Sequence, residues 1–499
     1  MTDHAPYNMA SLVLGCESEQ LHLSGAIQGW GALIVARAEP PHLITHVSAN
    51  LADYLGLGAA DLLDQPLDRT GCLNASHCQR LDARPGHMLR LPRQACVADQ
   101  ASDVVLVRGE HTVLIELEQV PAGAEPIPLQ ELQKPFLSIP GDEAGIDAVH
   151  DSLVEAIQTI TGYDRVMVYR FHEDWSGEVI AEATSDALGS YLGLRFPASD
   201  IPAIARNLYL NNPCRMIPEV AAPAVPLVGL DAAPPDLTWS GLRSVSPVHL
   251  QYLTHMGVGA SFSLPIVISG RLWGLVACHH LNPRRLHADQ RQASVSISRA
   301  YALCLTSYLA SRRLQMIDSL ERRVDRVLEA FCRHADPLDG LEAVAPQIME
   351  ALGAHGVALA LGDDVAVFGH APDMANLSLI DHWFLNQCQD SLYHTDRLAS
   401  LLPDHPEIAE RVSGLFAVKA NSPRRGWLRL YWFRDAEPRE VAWAGNPNKP
   451  TVEHAGVPML SPRRSFEKWV EIMTDHSRPW KNEERMIAGK FRNTLLRWL

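Results

Sequence analysis

No stretch of this 499-residue chain approaches the roughly 18 consecutive apolar residues that a membrane span needs. The opening Met1–Ala10 has neither a basic start nor an apolar run, so export is not expected and a cytoplasmic location is. The 9 cysteines, Cys16, Cys72, Cys78, Cys96, Cys214, Cys278, Cys304, Cys332 and Cys388, are an odd number scattered over a long chain, which argues against a disulfide framework. Positive charge is short as well: 43 Lys and Arg against 58 Asp and Glu leave a formal charge of -15. That balance excludes a general binder of nucleic acid or anionic membranes. An anionic ligand would have to be met by local arginines inside a pocket.

Catalytic signatures are missing too. The chain has no Walker loop, no GxSxG, no kinase nucleotide signature and no paired acids in a recognisable frame, and Gly257-Val258-Gly259-Ala260 is too short for a dinucleotide fingerprint. Neither His255 with Cys278, His279 and His280 nor Cys72, His77 and Cys78 has a metal-ligand spacing, so no metal site is expected. No enzyme is indicated within residues 1–499.

What is present reads as three domains, at about 100–200 residues each. Strands at Gly31–Val35, Asp103–Val107 and Thr112–Leu117, with a short helix Asn50–Gly56 closed by its glycine, predict a small mixed domain. A Pro- and Ala-rich linker follows at Val120–Pro128. A second domain opens with a helix near Asp147–Thr161 and continues with strands at Asp164–Phe171, Ser261–Ile268 and Leu272–Ala277, the last two joined by the hairpin dipeptide Ser269-Gly270. Within it, Pro218–Pro235 reads as a long irregular loop, and loops of that length in compact domains tend to be functional. From Gln292 to His334 the pattern is helical; Ile317, Leu320, Val324, Val327 and Phe331 fit either a dimer seam or an ordinary core-facing stripe. A third domain has strands at Gly356–Leu361 and Gly426–Phe433 and a final helix Glu483–Leu499 that stops on an apolar stripe, as if an output module followed.

Arg215 and Arg243 flank the long loop, and guanidinium forks suit carboxylates. Behind them, helical spacing would put His249 and Tyr252 on one face. Surface arginines and a satisfied core histidine are the plain alternatives.

Several segments, in order and at domain-scale spacing, then converge. They are Cys16-Glu17 through Gly31-Ala32-Leu33, Arg165–Phe171, Arg195-Phe-Pro-Ala-Ser-Asp-Ile-Pro202, Ser246-Pro-Val-His-Leu-Gln-Tyr252, Met256–Gly259, Leu272–His280 and Pro462-Arg-Arg-Ser-Phe466. Over nearly its whole length the chain resembles the PAS–GAF–PHY photosensory core of the bacteriophytochromes. The resemblance implies an α+β protein of three domains with antiparallel sheets, joined by long helices. It divides the chain into an N-terminal extension (1–16), PAS (17–125), GAF (140–315) and PHY (325–499), with a tongue at about 436–476 whose other landmark is Trp443-Ala444-Gly445. It also implies that the segment at Ile27 is threaded through the loop around Pro218–Pro235.

The same resemblance implies a red/far-red photoreceptor carrying biliverdin IXα, a linear tetrapyrrole, on a thioether from Cys16. The position that holds the attachment cysteine in plant and many cyanobacterial members is Val248 here. Asp200 would offer its backbone carbonyl to the pyrrole N–H groups beside His249. Arg215 and Arg243 would take the propionates with Ser261, Ser263 and Tyr209. Tyr169, Phe196 and Tyr252 would line the D-ring and His279 would bond its carbonyl, while Ile201, Pro202, Ser246 and Met256 complete the implied set. Arg463 would pair with Asp200 in the dark and Ser465 would replace it after light, as the tongue refolds from hairpin to helix. The implied partners are a second copy of the chain and a C-terminal output module or response regulator, with no nucleic acid and no membrane. Two departures stand out: Gly29-Trp30 where relatives usually have Pro-His, and Leu194 where they often have His. The competing readings are a light-blind PAS/GAF sensor of a ligand or of dimerisation, and the sensory half of a histidine kinase whose catalytic part lies beyond Leu499.

Overall fold

The computed structural model describes residues 19–97, 100–120, 126–185, 188–402, 405, 408, 411–422, 426–447, 451–454, 457–460 and 465–498, and within these leaves the side chains of 95–97, 100, 317–323, 422, 451–460 and 497–498 undescribed. Cys16 and Arg463 therefore lie outside the described residues. The chain divides into two compact units, one of residues 1–308 with 442–469 and one of 309–441 with 470–499.

The first unit holds two large sheets. One is built from Ala32–Arg37, Ile44–Ser48, Met88–Val97, Gln100–Arg108 and Thr112–Gln119, over a core that includes Ile34, Val47, Leu106 and Ile115. The expected short helix is present as Ala52–Leu55, closed by Gly56 in the left-handed conformation (φ 67). The other sheet runs in the order Arg215–Ile217, Ala260–Ile268, Arg271–His280, Arg165–Phe171, Gly177–Thr184 and Arg195–Phe196. Its central hairpin turns through Ser269 and Gly270, both at positive φ, the geometry that matches strand twist in a two-residue connection. Helix Glu143–Thr161 packs on this sheet because its apolar residues recur every three to four positions; Ile146, Val149, Leu153, Ile157 and Ile160 are all buried. Asp142 caps its first turn by accepting from the Gly145 N–H at 2.8 Å, and Gly162 ends it (φ 63).

The expected irregular loop is a correction: Ala224–Gly229 is a strand, pairing with Ala26–Gln28 on one side and with Ile44–Ser48 on the other. Its partners lie about two hundred residues away in sequence and supply the pairing that a local Ala-, Pro- and Val-rich pattern does not announce. Ala26–Gln28 is also bonded on its other edge by the end of the same loop, through Gln28 N–H to the Leu242 carbonyl (2.8 Å) and Ser244 N–H to the Ala26 carbonyl (3.1 Å). Ile27 between them is fully buried.

In the second unit a five-stranded sheet, which includes Gly356–Leu361 and Gly426–Arg434, carries cores on both faces. Helix Ala288–Phe331 spans 44 residues. Val324 and Phe331 are buried in the core with Val344, Ile348 and Trp432, and Val327 packs against it. Those members of the proposed seam are core-facing; the side chains of Ile317 and Leu320 are not described. The last helix, Asn482–Trp498, likewise buries Ile487, Phe491 and Leu495, so part of its apolar stripe has a partner.

Candidate functional site

One cavity of about 220 Å³ lies in the first unit, walled by the second sheet, by helices Ala203–Asn211 and Pro247–His255, and by the segments leading into them. Its lining includes Tyr169, Phe196, Asp200, Ile201, Pro202, Tyr209, Arg215, Arg243, Ser246, His249, Tyr252, Met256, Ser261, Ser263 and His279, which is every described residue of the expected cofactor set. Sequence reasoning did not single out Met167, Val179, Leu275 and Ala277 for the wall; Met167, Leu275 and Ala277 belong to expected strands, whereas Val179 lies on Gly177–Thr184, a strand the sequence reading did not anticipate.

At one end sit two guanidinium groups. Arg215 starts a short strand opposite Ser263 and donates to the backbone carbonyls of Gly241 (3.3 Å), Arg243 and Ser244 (3.0 Å). Arg243, 6% exposed, donates to those of Leu237 (3.4 Å) and Thr238 (3.0 Å). Neither has a carboxylate partner among the described residues. Burial accordingly pulls Arg215 down to about 10, and burial with the neighbouring Arg215 charge pulls Arg243 down to about 9. Tyr209 and Ser263 bond hydroxyl to hydroxyl beside them at 2.8 Å. Two buried cations held only by carbonyl dipoles make a costly arrangement that a dianionic ligand would relieve.

The other end is aromatic. Tyr169 stands edge-on to Phe171 (5.3 Å between centroids) and tilted against Phe196 (5.8 Å). Its ring fills the place a side chain at Gly177 would need, with Tyr169 ring atoms 1.8 Å from where a Cβ there would sit. Tyr252 donates to Asp200 Oδ2 at 3.0 Å and stacks with His249 (6.0 Å, 13°), so the two share a helix face as their spacing predicts. His279, opposite Ser261 and Arg165 in its sheet, has a buried Nδ1 with no hydrogen-bond partner among the described residues. Burial first, then the Arg165 charge, lowers it to about 3, and burial with Arg215 lowers His249 to about 4, so both rings are neutral bases near pH 7. An orphaned imidazole nitrogen in the lining is a donor or acceptor without an occupant.

The tongue landmarks reach this end. Phe466 meets the Tyr252 ring edge-on at 5.1 Å, and Trp443 pairs in parallel with Arg195, an exception to the antiparallel pattern expected. Gly445 (φ 80) lets the two arms close, because a Cβ there would sit 2.0 Å from the Ser465 carbonyl oxygen. Thr451–His454 and Val457–Leu460 form an antiparallel hairpin. Ser465 is exposed, its hydroxyl accepting from the Glu467 N–H at 3.4 Å. The departures lie off the cavity wall. Leu194 is buried in the aromatic cluster behind Tyr169 and Phe196, and Trp30 is half-buried under the guanidiniums of Arg291 (5.1 Å) and Arg285 (5.6 Å). Among the described residues no group of three or more His, Cys, Asp or Glu could hold a metal ion, and no helix is long and apolar enough to cross a membrane.

Comparison with known proteins follows the same division. The PAS fold matches residues 16–120, the GAF domain 146–305 and the phytochrome region 320–499. A bacteriophytochrome of Xanthomonas campestris is 32% identical over 93% of the chain and 75% of its own length, and one of Pseudomonas aeruginosa is 31% identical over 99% and 67%. Cyanobacterial phytochrome B of Nostoc is 32% identical over 96% of the chain, which spans 65% of that protein. The Stigmatella aurantiaca phytochrome photosensory core module superposes with a TM-score of 0.82 at 31% identity, and a bacteriophytochrome of R. palustris with 0.80 at 30%, each covering 97% of this chain and 98% of the other. With the order of its domains, the contents of its cavity and these relatives in agreement, the chain belongs to the phytochrome family and comprises a PAS–GAF–PHY photosensory core.

Proposed function

We propose that the chain is a red/far-red light receptor that holds biliverdin IXα in this cavity through a thioether to Cys16. The observation that carries the reading is the pairing, in one cavity, of two buried guanidiniums without a carboxylate with an imidazole Nδ1 without a partner, both among the described residues. When bound, the tetrapyrrole supplies red absorption and a light-driven isomerisation between its C and D rings.

The protein's own groups divide the remaining work. Arg215 and Arg243, with Ser261, Ser263 and Tyr209, hold the propionates. The Asp200 backbone carbonyl would accept from the pyrrole N–H groups with His249 alongside, while Tyr169, Phe196, Tyr252 and His279 would enclose the D-ring, beside Ile201, Pro202, Ser246 and Met256. In the dark Asp200 pairs with Arg463, and after light with Ser465, as the tongue exchanges its hairpin for a helix. Two packings biased by one acid make such a switch two-state. The strand Ala26–Gln28, bonded on both edges by parts of one loop, supports threading of that segment.

A homodimer is the proposed assembly. Leu303 (70% exposed) and Leu314 (67%) fall on one face of the long helix at a spacing close to three turns, an apolar stripe suited to a second copy. The relatives extend past the stretch this chain matches, so an output module or response regulator is the proposed partner, in the cytoplasm. The test is to add biliverdin to the apoprotein, record spectra after red and after far-red light, and run a denaturing zinc-stained gel. The expected result is a reversible red/far-red shift and a fluorescent band absent in Cys16→Ser. No bilin uptake overturns the reading and leaves a light-blind sensor.

A further inference from the structure

The loop that closes the arginine end has two sides. Its carbonyls, at Leu237, Thr238, Gly241, Arg243 and Ser244, hold the guanidiniums of Arg215 and Arg243. Three of its donors converge instead on a single atom of the PAS domain. Glu116 Oε1, on strand Thr112–Gln119, accepts from the Ser240 hydroxyl (2.6 Å), the Gly241 N–H (2.8 Å) and the Leu242 N–H (3.4 Å). Ser240, Leu242 and Glu116 are 1%, 0% and 5% exposed, so water is not at hand to replace the carboxylate. Buried donors left unmade are costly, and a charged acceptor makes stronger bonds than a neutral one.

We propose that Glu116 is a positioning residue for anion recognition: by gathering the 240–242 donors onto one oxygen it fixes the carbonyls that aim Arg215 and Arg243, and so sets how the cavity receives the ligand's carboxylates. This rests on the bilin reading of the cavity. Nothing in sequence marked Glu116, because its partners lie more than a hundred residues away on another domain. Burial above all, with the Glu118 charge two residues on, pushes the Glu116 carboxyl above its ordinary value, and the Ser240, Gly241 and Leu242 donors pull it back by favouring the charged form. Glu118 is separately engaged by Arg291, leaving Glu116 to the loop.

Two variants and two ligands test this. In Glu116→Ala, amide hydrogen exchange at Gly241 and Leu242 of the apoprotein accelerates, and in a Cys16→Ser background, where no thioether forms and binding is reversible, biliverdin binds about tenfold more weakly, the effect of losing one net buried hydrogen-bonding group. Biliverdin dimethyl ester, which has no propionate charge for the arginines, loses less than about twofold on the same energy scale. Glu116→Gln, which keeps a single acceptor oxygen and the side chain's shape, falls between and covers the case in which the alanine variant does not fold. Equal weakening of the free acid and the ester would reduce Glu116 to a structural prop and overturn the proposal, as would unchanged exchange and unchanged affinity. If the wild-type chain takes up neither ligand, the bilin reading fails by itself, and the proposal with it as a statement about ligand, whatever the exchange data show of the clamp.

Discussion

The two ends of the cavity are built by opposite means. At the arginine end, directional bonds over-determine the position of each group: five loop carbonyls hold two guanidiniums, and Glu116 holds the loop. At the aromatic end the wall is largely rings in van der Waals contact, with Tyr252 bonded to Asp200 and His279 Nδ1 without a partner among the described residues. Directional bonds resist rotation of whatever they hold, whereas ring faces tolerate it at small cost. A photoreceptor needs both: an anchor that stays and a wall beside which a ring can turn.

The anchor should be the more expensive end to damage. Arg215→Ala removes a ligand cation and strands the carbonyls of Gly241, Arg243 and Ser244, for an expected loss of about 3 kcal/mol, or about 100-fold in reversible biliverdin affinity by absorbance titration in a Cys16→Ser background. A loss under about threefold would dissolve the contrast between the ends.

The cover over the aromatic end comes next. Gly445→Ala meets the Ser465 carbonyl and asks an L-residue to hold φ 80, at an expected local cost of about 2 kcal/mol. Limited proteolysis should then cut within 442–469 well before the rest of the chain, while the affinity for biliverdin stays within about threefold.

The pH dependence of the apoprotein sharpens the comparison, since one end carries charge and the other a neutral base. His279 is held near about 3 against 6.5 in an unfolded chain, so the unfolded state takes up the proton first as pH falls. The stability it contributes is complete above about pH 6.5 and declines between there and about pH 3, by about 2 kcal/mol at pH 5. Urea titrations at pH 7 and pH 5 should show that decline in the wild type and a flatter response in His279→Asn. Equal slopes would mean that the imidazole is not buried neutral.

The smallest expected effect is at the Tyr252–Asp200 hydrogen bond of the aromatic end. Tyr252→Phe removes the 3.0 Å bond to Asp200 and keeps the ring against Phe466. About 1 kcal/mol is at stake, so affinity should be unaltered and the dark recovery rate after illumination should change by about fivefold.

How much of this could be read beforehand depends on the range of the interaction. Ser269-Gly270, Gly56 and the three-to-four spacing of helix Glu143–Thr161 act within a few residues, and each appears where expected. The cavity's lining was legible through family motifs, because those residues come in short runs on single elements, such as Pro247–His255. The strand Ala224–Gly229 and the role of Glu116 were not, since both are defined by partners that only the fold brings close. The stripe at Val324 and Phe331 shows a third case: periodicity located the buried face of the helix and was silent on what buries it.

The central claim is that one end of the cavity stays while the other changes. Hydrogen exchange of the biliverdin-loaded chain, measured after red and after far-red illumination, addresses it most directly. The account predicts altered protection across 194–202 and 442–469, with the amides of 237–244 unchanged. Light-dependent exchange in 237–244, or none in 442–469, would contradict it.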